Sequence, residues 1–160
     1  MSHMMIRIAI SGYTNVGKTS IISRFCDDDF SNVPNKTEGV DYKTKDYKVE
    51  NINIKFHLWD FSGEAKYEST NKLIYSRAQA LIIVFDVKDL ASFDSLKSKV
   101  EEVKREAPSN LLIFLCANKI DLDISEHTVN REMYLSFASF KGVGLFEVSA
   151  LNGSNITNVR

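Results

Sequence analysis

The sequence has 160 residues, of which 44% are hydrophobic, and this is enough for one domain with one sizeable core. Its formal net charge of −1, with acidic and basic residues interspersed, gives no reason to expect nucleic acid or an anionic membrane as the main partner. Apolar runs such as ALIIVF are far shorter than the ~20 residues that span a bilayer. Cys26 and Cys116 lie in or beside apolar segments, which favours buried reduced thiols over a disulfide or a metal pair. We therefore expect a cytoplasmic protein.

The first half of the chain predicts a strand, a helix, a long loop and a hairpin. Residues 1–4 (MSHM) are interpreted as vector-derived, and the apolar segment 5–11 predicts a short buried strand. A helix is expected over 18–26, followed by the polar segment 27–39, whose length is typical of a functional loop. The segments VDYKTKDYKV and NIKFHLWD alternate apolar and polar residues, so together they predict an antiparallel hairpin.

The second half alternates strands with helices. The unalternated runs ALIIVFDV and LLIFLCA are typical of parallel strands covered on both faces, and LFEVS predicts a last strand. Apolar residues at helical spacing predict one helix over 93–107, which Pro108 stops, and another over 133–140, which Gly142 closes. This order predicts right-handed βαβ units and a doubly wound α/β sheet, so residues 5–160 are interpreted as a single domain.

The segment SGYTNVGKTS, residues 11–20, fits the pattern G-x-x-x-x-G-K-[ST] and lies between a predicted strand and a predicted helix. Glycines at such a turn let backbone N–H groups surround phosphate oxygens, while Lys18 would reach the β and γ phosphates and the Thr19 hydroxyl could bind Mg²⁺. A chance match in an ordinary strand–turn–helix should occur in about one chain in a few hundred. The segment therefore predicts a phosphate-binding loop.

The segment CANKID, at the end of a later predicted strand, indicates which base is bound. The Asp121 carboxylate can accept hydrogen bonds from N1–H and the N2 amine of guanine, and adenine lacks both donors, so Asp121 would favour guanine. Asn118 can contact the O6/N7 side of the base. Alone, N-K-x-D is also typical of a polar turn. Its place at the carboxyl end of a parallel strand, where such sheets bind ligands, favours the nucleotide interpretation.

Two further segments could reach the metal and the γ-phosphate. In WDFSG, Asp60 closes a strand and could hold Mg²⁺ through water, and the Gly63 N–H could contact the γ-phosphate. Thr37, in the long loop, is a candidate for a second hydroxyl on the metal. Singly, D-x-x-G is most often a turn and a loop threonine is most often solvated. The phosphate-loop motif and the N-K-x-D motif elsewhere in the chain favour a functional interpretation of D-x-x-G and of Thr37.

The chain resembles the Ras superfamily of small GTPases, and its Rab branch most of all, over nearly its whole length. The resemblance rests on GYTNVGKTS, TEGVDY, LWDFSGE, IIVFDVKDLASF, ANKIDL and EVSALNG. It implies a P-loop NTPase fold with a mostly parallel six-stranded sheet, one antiparallel edge strand and five helices. It also implies a switch in vesicle traffic that binds GTP or GDP with Mg²⁺ and hydrolyses GTP.

The resemblance also implies which residues form the site. Ser149 and Ala150 would lie behind the guanine, and Phe30 would pack edge-on against it, although Phe30 could also be a hydrophobic anchor for the loop. The metal ligands would be Thr19, Thr37 and Asp60, and hydrolysis would depend on Glu64, Lys18, Thr37 and Gly63. The implied nucleotide contacts are Gly12, Thr14, Asn15, Val16, Gly17, Lys18, Thr19, Ser20, Phe30, Thr37, Gly63, Asn118, Lys119, Asp121, Ser149, Ala150 and Leu151.

The partners that the resemblance implies are exchange factors, GTPase-activating proteins and effectors, all of which would contact the two switch segments around Thr37 and Gly63. Tyr42 and Trp59 match two aromatics of the effector-facing cluster of Rabs, and Tyr75 is the candidate for the third. A partly buried strand residue is an equally good interpretation of Trp59.

The chain departs from the family pattern at positions that bear on hydrolysis. Glu64 stands where the family has the glutamine that orients the attacking water, and Thr14 replaces a smaller residue. A carboxylate cannot donate a hydrogen bond to a phosphate oxygen, so we expect slow intrinsic hydrolysis, although a carboxylate is also a better base than an amide. The switch segment around Thr37 has no arginine, so the ~10³–10⁵-fold contribution of such a residue to the hydrolysis rate would come from a partner.

The segment NGSNITNVR begins a final helix that is incomplete, so we interpret the chain as truncated or as part of a longer protein. A second domain or a dimer contact is a candidate to cover the truncated end, and peripheral attachment to endomembranes would require a further tail. Two alternatives to a switch remain. One is a GTP-locked or catalytically silent binding module, which Glu64 and Thr14 favour, and the other is a P-loop kinase or ATPase, which NKID opposes.

Overall fold

A six-stranded sheet forms the centre of the protein, seen here in a computed structural model. The structure describes residues 2–12, 16–17, 20–22, 25, 40–61, 77–107, 110–119 and 128–149. The strands follow the spatial order β2-β3-β1-β4-β5-β6, and among them only β2 runs antiparallel to its neighbour. Their bounds are β1 Ser2–Gly12, β2 Val40–Val49, β3 Ile52–Phe61, β4 Ala80–Asp86, β5 Leu112–Asn118 and β6 Gly144–Glu147.

Two helices with described bounds pack on this sheet, α1 (Leu90–Glu106) and α2 (Arg131–Lys141). Each begins at a side chain that satisfies free backbone N–H groups: Asp89 accepts from Ala91 N, and Asn130 accepts from Met133 N. The second helix ends at Gly142, whose φ of 67° is the left-handed conformation that glycine adopts most readily. Residues 20–22 and 25 are also helical, where the sequence predicts a helix directly after the phosphate loop.

The central strand β4 is buried at every residue, which explains its unalternated apolar sequence. On one face, Phe85 packs with Phe93 of α1 and Tyr134 of α2, at centroid separations of 5.2 and 5.4 Å. On the other face, Ile82 and Val84 join a second apolar cluster. That cluster includes Ile8, Ile10, Ile21, Ile22, Phe56, Leu58 and Cys116. The sheet therefore separates two cores, as a doubly wound fold requires.

The predicted α/β fold is confirmed, including the mostly parallel sheet and the single antiparallel strand at its edge. Among the strands, two boundaries differ from the prediction by more than one residue. Strand β1 begins at Ser2, because Ser2–Met4 pair with Ile52–Ile54 of the hairpin, and this pairing is independent of apolar patterning. Strand β6 ends at Glu147 rather than at residue 149.

Neither α1 nor α2 is long and apolar enough to cross a membrane. The incomplete final helix lies outside the described residues, and the interpretation of residues 1–4 as vector-derived stays a prediction.

Replacing Phe85 with alanine should destabilise the protein by about 3–5 kcal/mol, because the substitution leaves a cavity in a close-packed core. Phe85→Leu, which fills most of that volume, should cost about 1–2 kcal/mol. Urea unfolding followed by circular dichroism measures both. Phe140→Ala is the matched control, because Phe140 is 83% exposed. A loss of stability at Phe140 equal to that at Phe85 would contradict this description of the core.

Burial raises the pKa of the Cys116 thiol to about 12, because the thiolate would be desolvated inside the second cluster. In a Cys26→Ser background, Cys116 should therefore react with a disulfide reagent at pH 8 only after urea unfolds the protein.

The same raised pKa predicts how stability depends on pH. An unfolded thiol ionises at about pH 8.5, so the contribution of the protonated Cys116 thiol to the free energy of unfolding is complete below that pH and falls as pH rises towards 12. Between about pH 8.5 and 10, the protein should lose stability faster than its Cys116→Ala variant. Equal slopes of unfolding free energy against pH in the protein and in Cys116→Ala would contradict the raised pKa of Cys116.

Candidate functional site

The predicted phosphate loop and the predicted base motif lie at the same edge of the sheet. Gly12, at the end of β1, pairs with Val84 of β4. Asp86, at the end of β4, pairs with Asn118 at the end of β5. Because the three strands are parallel, their carboxyl ends meet at one edge, which is where open α/β sheets bind ligands.

Other atoms lie so close to Gly12 and Gly17 of the phosphate motif that neither position has room for a side chain. At Gly12, with φ of +153°, an added Cβ would lie 2.5 Å from the Val84 carbonyl oxygen. At Gly17, with φ of +96°, it would lie 2.4 Å from Nδ2 of Asn118. The Gly17 carbonyl accepts from Ile21 N at 2.9 Å, and this bond begins the helical segment after the loop. A side chain at Gly12 would therefore displace the backbone of β4, and one at Gly17 would displace the Asn118 amide, in both cases from a backbone conformation that favours glycine.

A buried hydrogen bond joins the two motifs: Asn118 Nδ2 donates to the Val16 carbonyl oxygen at 2.8 Å. Both residues are nearly inaccessible to solvent, with exposures of 1% for Asn118 and 0% for Val16. The sequence predicts Asn118 as a base contact and does not predict this second role. No local pattern could have found it, since the partners are 102 positions apart.

Lys119 follows Asn118 with a backbone φ of +67°, which is uncommon for a residue other than glycine. Its Nζ lies 2.7 Å from Oδ2 of Asp86 at the end of β4. Asp86 Oδ1 accepts from Lys88 N at 2.8 Å, so both carboxylate oxygens are bonded. Asp86 is not among the predicted site residues, although an acidic residue at the end of a fully buried strand is a usable signal.

Ser149 lies beside these residues, fully buried. The Val148 N–H donates to the Ala117 carbonyl at 2.8 Å, which places the segment after β6 next to the end of β5. The role of Ser149 behind the guanine, which the resemblance implies, stays a prediction.

The end of β6 is fixed to the start of α2 through Glu147. Arg131 Nε contacts its carboxylate at 3.0 Å, and the Tyr134 hydroxyl donates to Oε2 at 2.8 Å. Burial, followed by this hydrogen bond to an acceptor, raises the pKa of Tyr134 above its usual range. Tyr134 therefore stays protonated as a donor at physiological pH.

The described parts of the switch segments are the strands β2 and β3. The Asp60 backbone pairs with Ile10 of β1, so it lies at the carboxyl edge close to the phosphate loop. Tyr42 is paired with Trp59 across the hairpin, and Trp59 is half-buried against the core on the α1 face. Both interpretations of Trp59, effector contact and packing residue, are compatible with this position.

The remaining predicted site residues lie outside the described part of the chain, and their assignments stay predictions. Ser20 is described as helical and half-buried. Within the described residues no group of three His, Cys, Asp or Glu side chains could hold a metal, and neither Thr19 nor Thr37 belongs to that part. The undescribed candidates are Thr14, Asn15, Lys18, Thr19, Phe30, Thr37, Gly63, Glu64, Tyr75, Asp121, Ala150 and Leu151.

Comparison with known proteins agrees with the fold. The Ras family model matches residues 7–159. The chain is 33% identical over 150 residues to Ras-related protein Rab-1D of Dictyostelium discoideum, covering 94% of this chain and 73% of the relative. It is 30% identical to Ras-related protein Rab-13 of Canis lupus familiaris (95% and 74% covered) and to GTP-binding protein ypt5 of Schizosaccharomyces pombe (96% and 73% covered). This chain therefore belongs to the Ras family of small GTPases.

Proposed function

We propose that this chain is a Rab-like molecular switch that alternates between GTP- and GDP-bound forms and acts in vesicle trafficking. The observation that carries the proposal is the hydrogen bond from Asn118 Nδ2 to the Val16 carbonyl, because it joins the phosphate motif to the guanine motif. The names of the relatives support it: two are Ras-related Rab proteins and one is a GTP-binding protein.

The phosphates would be bound by the loop that follows β1. Its backbone N–H groups and the Lys18 ammonium would contact the phosphate oxygens, which the close packing of Gly12 and Gly17 supports. Mg²⁺ would be bound by the Thr19 and Thr37 hydroxyls and, through water, by Asp60. The pairing of Asp60 with Ile10 supports this assignment, since it puts Asp60 beside the strand that leads into the loop. The ion would neutralise charge on the β and γ phosphates.

Guanine would be recognised by the segment after β5. The Asp121 carboxylate would accept from N1–H and the N2 amine, and Asn118 would contact the base while also bonding to Val16. Ser149, Ala150 and Leu151 would lie behind the ring, and Phe30 would pack on its edge. The burial of Ser149 next to β5 supports that side of the pocket.

Intrinsic hydrolysis would be slow because Glu64 replaces the water-orienting glutamine. A GTPase-activating partner would supply the missing arginine. This partner, exchange factors and effectors would contact the switch segments, with Tyr42, Trp59 and Tyr75 as the aromatic part of the surface. The register of Tyr42 opposite Trp59 supports a shared patch. We also propose that the protein functions in the cytosol and at the surface of endomembranes.

The guanine assignment is tested by comparing GDP with inosine diphosphate, which lacks only the N2 amine. In competition against a fluorescent GDP analogue, inosine diphosphate should bind about 10–100-fold more weakly, because one charge-assisted hydrogen bond is lost. The affinities of Asp121→Ala for the two nucleotides should differ by less than about threefold, since the variant has no carboxylate to accept a hydrogen bond from the N2 amine. Asp123→Ala, two residues along the chain, is the matched control and should keep the discrimination. Stoichiometric adenine nucleotide on the purified protein would overturn the assignment.

Replacing Glu64 with glutamine should raise the rate of hydrolysis at least about tenfold, because an amide can donate to a phosphate oxygen as well as accept from water. Single-turnover phosphate release from protein preloaded with GTP measures the change. Glu68→Gln is the control for altered charge in the same segment. A slower Glu64→Gln variant would show instead that the carboxylate acts as a base on the attacking water.

A further inference from the structure

The carboxylate of Asp86 is an almost buried charge next to the proposed base site. Its side chain is 9% exposed, and its two oxygens are bonded to Lys88 N at 2.8 Å and to Lys119 Nζ at 2.7 Å. A buried carboxylate needs such partners, since desolvation of an unpaired charge is costly. Loss of the Lys119 ammonium, which is itself 40% exposed, would therefore leave a nearly buried charge with one partner fewer.

The backbone of Asp86 is fixed by the first turn of α1. Its N–H donates to Ser92 Oγ at 2.9 Å, and the same hydroxyl oxygen lies 2.7 Å from the Asp89 carbonyl. Ser92 is fully buried, and Asp86 pairs with Asn118 across β4 and β5. The backbone that carries the carboxylate is consequently held by both the sheet and α1.

Lys119 lies between the two residues that are proposed to contact guanine, Asn118 and Asp121. Its backbone is left-handed at the point where the chain leaves β5, and a non-glycine residue adopts that conformation only when neighbouring contacts favour it. The ion pair with Asp86 is one such contact. A second is the hydrogen bond from Val87 N to the Asn118 carbonyl at 3.2 Å, which comes from the same end of β4.

We propose that Asp86 is a positioning residue for guanine nucleotide: it fixes Lys119, and through Lys119 the base-reading segment, and so slows nucleotide release. The inference rests on the proposed function, because it concerns the affinity of the same site. Asp86 itself acts through Lys119 and is assigned no contact with the nucleotide. The end of β4 and the first turn of α1 thereby become part of the support of the base site.

Release of a fluorescent GDP analogue, chased with excess GDP in the presence of Mg²⁺, tests the proposal. Asp86→Asn keeps the shape of the side chain and removes its charge, and it should raise the dissociation rate about three- to tenfold. Lys119→Met should also raise the rate, and the double variant should release no faster than Lys119→Met alone, because both changes remove one interaction. Asp94→Asn, which removes a comparable but exposed pair of α1 with Lys97 at 3.1 Å, should leave the rate unchanged.

Single-turnover hydrolysis separates positioning from general destabilisation. In Asp86→Asn preloaded with GTP, the hydrolysis rate should stay within about twofold of wild type, because the proposed γ-phosphate contacts lie on other segments. Unchanged or slower release in Asp86→Asn, or rate increases that multiply in the double variant, would overturn the inference while the proposed function stands. A wild-type chain that binds no guanine nucleotide would instead overturn the proposed function.

A second pair of variants tests the same contact even if Asp86→Asn does not fold. Lys119→Arg can still bond to the Asp86 carboxylate, so it should release nucleotide more slowly than Lys119→Met. Equal acceleration by the two substitutions would contradict a role for the ion pair.

Discussion

The hydrogen bond between the Asn118 amide and the Val16 carbonyl constrains most of the proposed site. It spans the ends of two strands, β1 and β5, that are separated in the sheet by β4. Because the two atoms lie 2.8 Å apart, the backbone at Val16 and Gly17 is close to the Asn118 side chain, and this leaves no space for a side chain at Gly17. Glycine at position 17 is thus explained in two ways: it would let a phosphate approach the backbone, and it leaves room for the Asn118 side chain that bonds to Val16.

That contact depends on the central position of β4. The strand is buried on both faces and packs against two separate apolar clusters, so the ends of its neighbours β1 and β5 are fixed relative to each other. The polar end of the strand is the exception to this apolar environment. Asp86 can be buried there because a backbone N–H and a lysine ammonium bond to its oxygens, in agreement with the general behaviour of buried charges.

Most of the fold could be predicted from the sequence because its signals are local. Alternation in β2 and β3, the continuous apolar run of β4, and Gly142 after α2 each act within a few residues, and the structure confirms the elements they predict. The extension of β1 to Ser2 could not be predicted, because it comes from pairing with β3. The contacts of Asn118 with Val16 and of Lys119 with Asp86 were missed for the same reason: each joins segments far apart in the chain, and each residue type is equally common in a solvated turn.

The contacts of Asn118 with Val16 and of Lys119 with Asp86 would affect both the stability of the protein and its affinity for nucleotide. Asn118 is bonded to Val16 of the phosphate motif and its neighbour Lys119 to Asp86 of β4, so the start of the base-reading segment is attached to the core on two sides. Residues that are held by such contacts lose less conformational entropy on binding, and this favours slow release. Conversely, a bound nucleotide stabilises only the folded arrangement of these strand ends, so loss of the ligand would lower the stability of the whole sheet edge. An exchange factor that separates Lys119 from Asp86, or the phosphate loop from Asn118, would weaken both properties without touching the nucleotide.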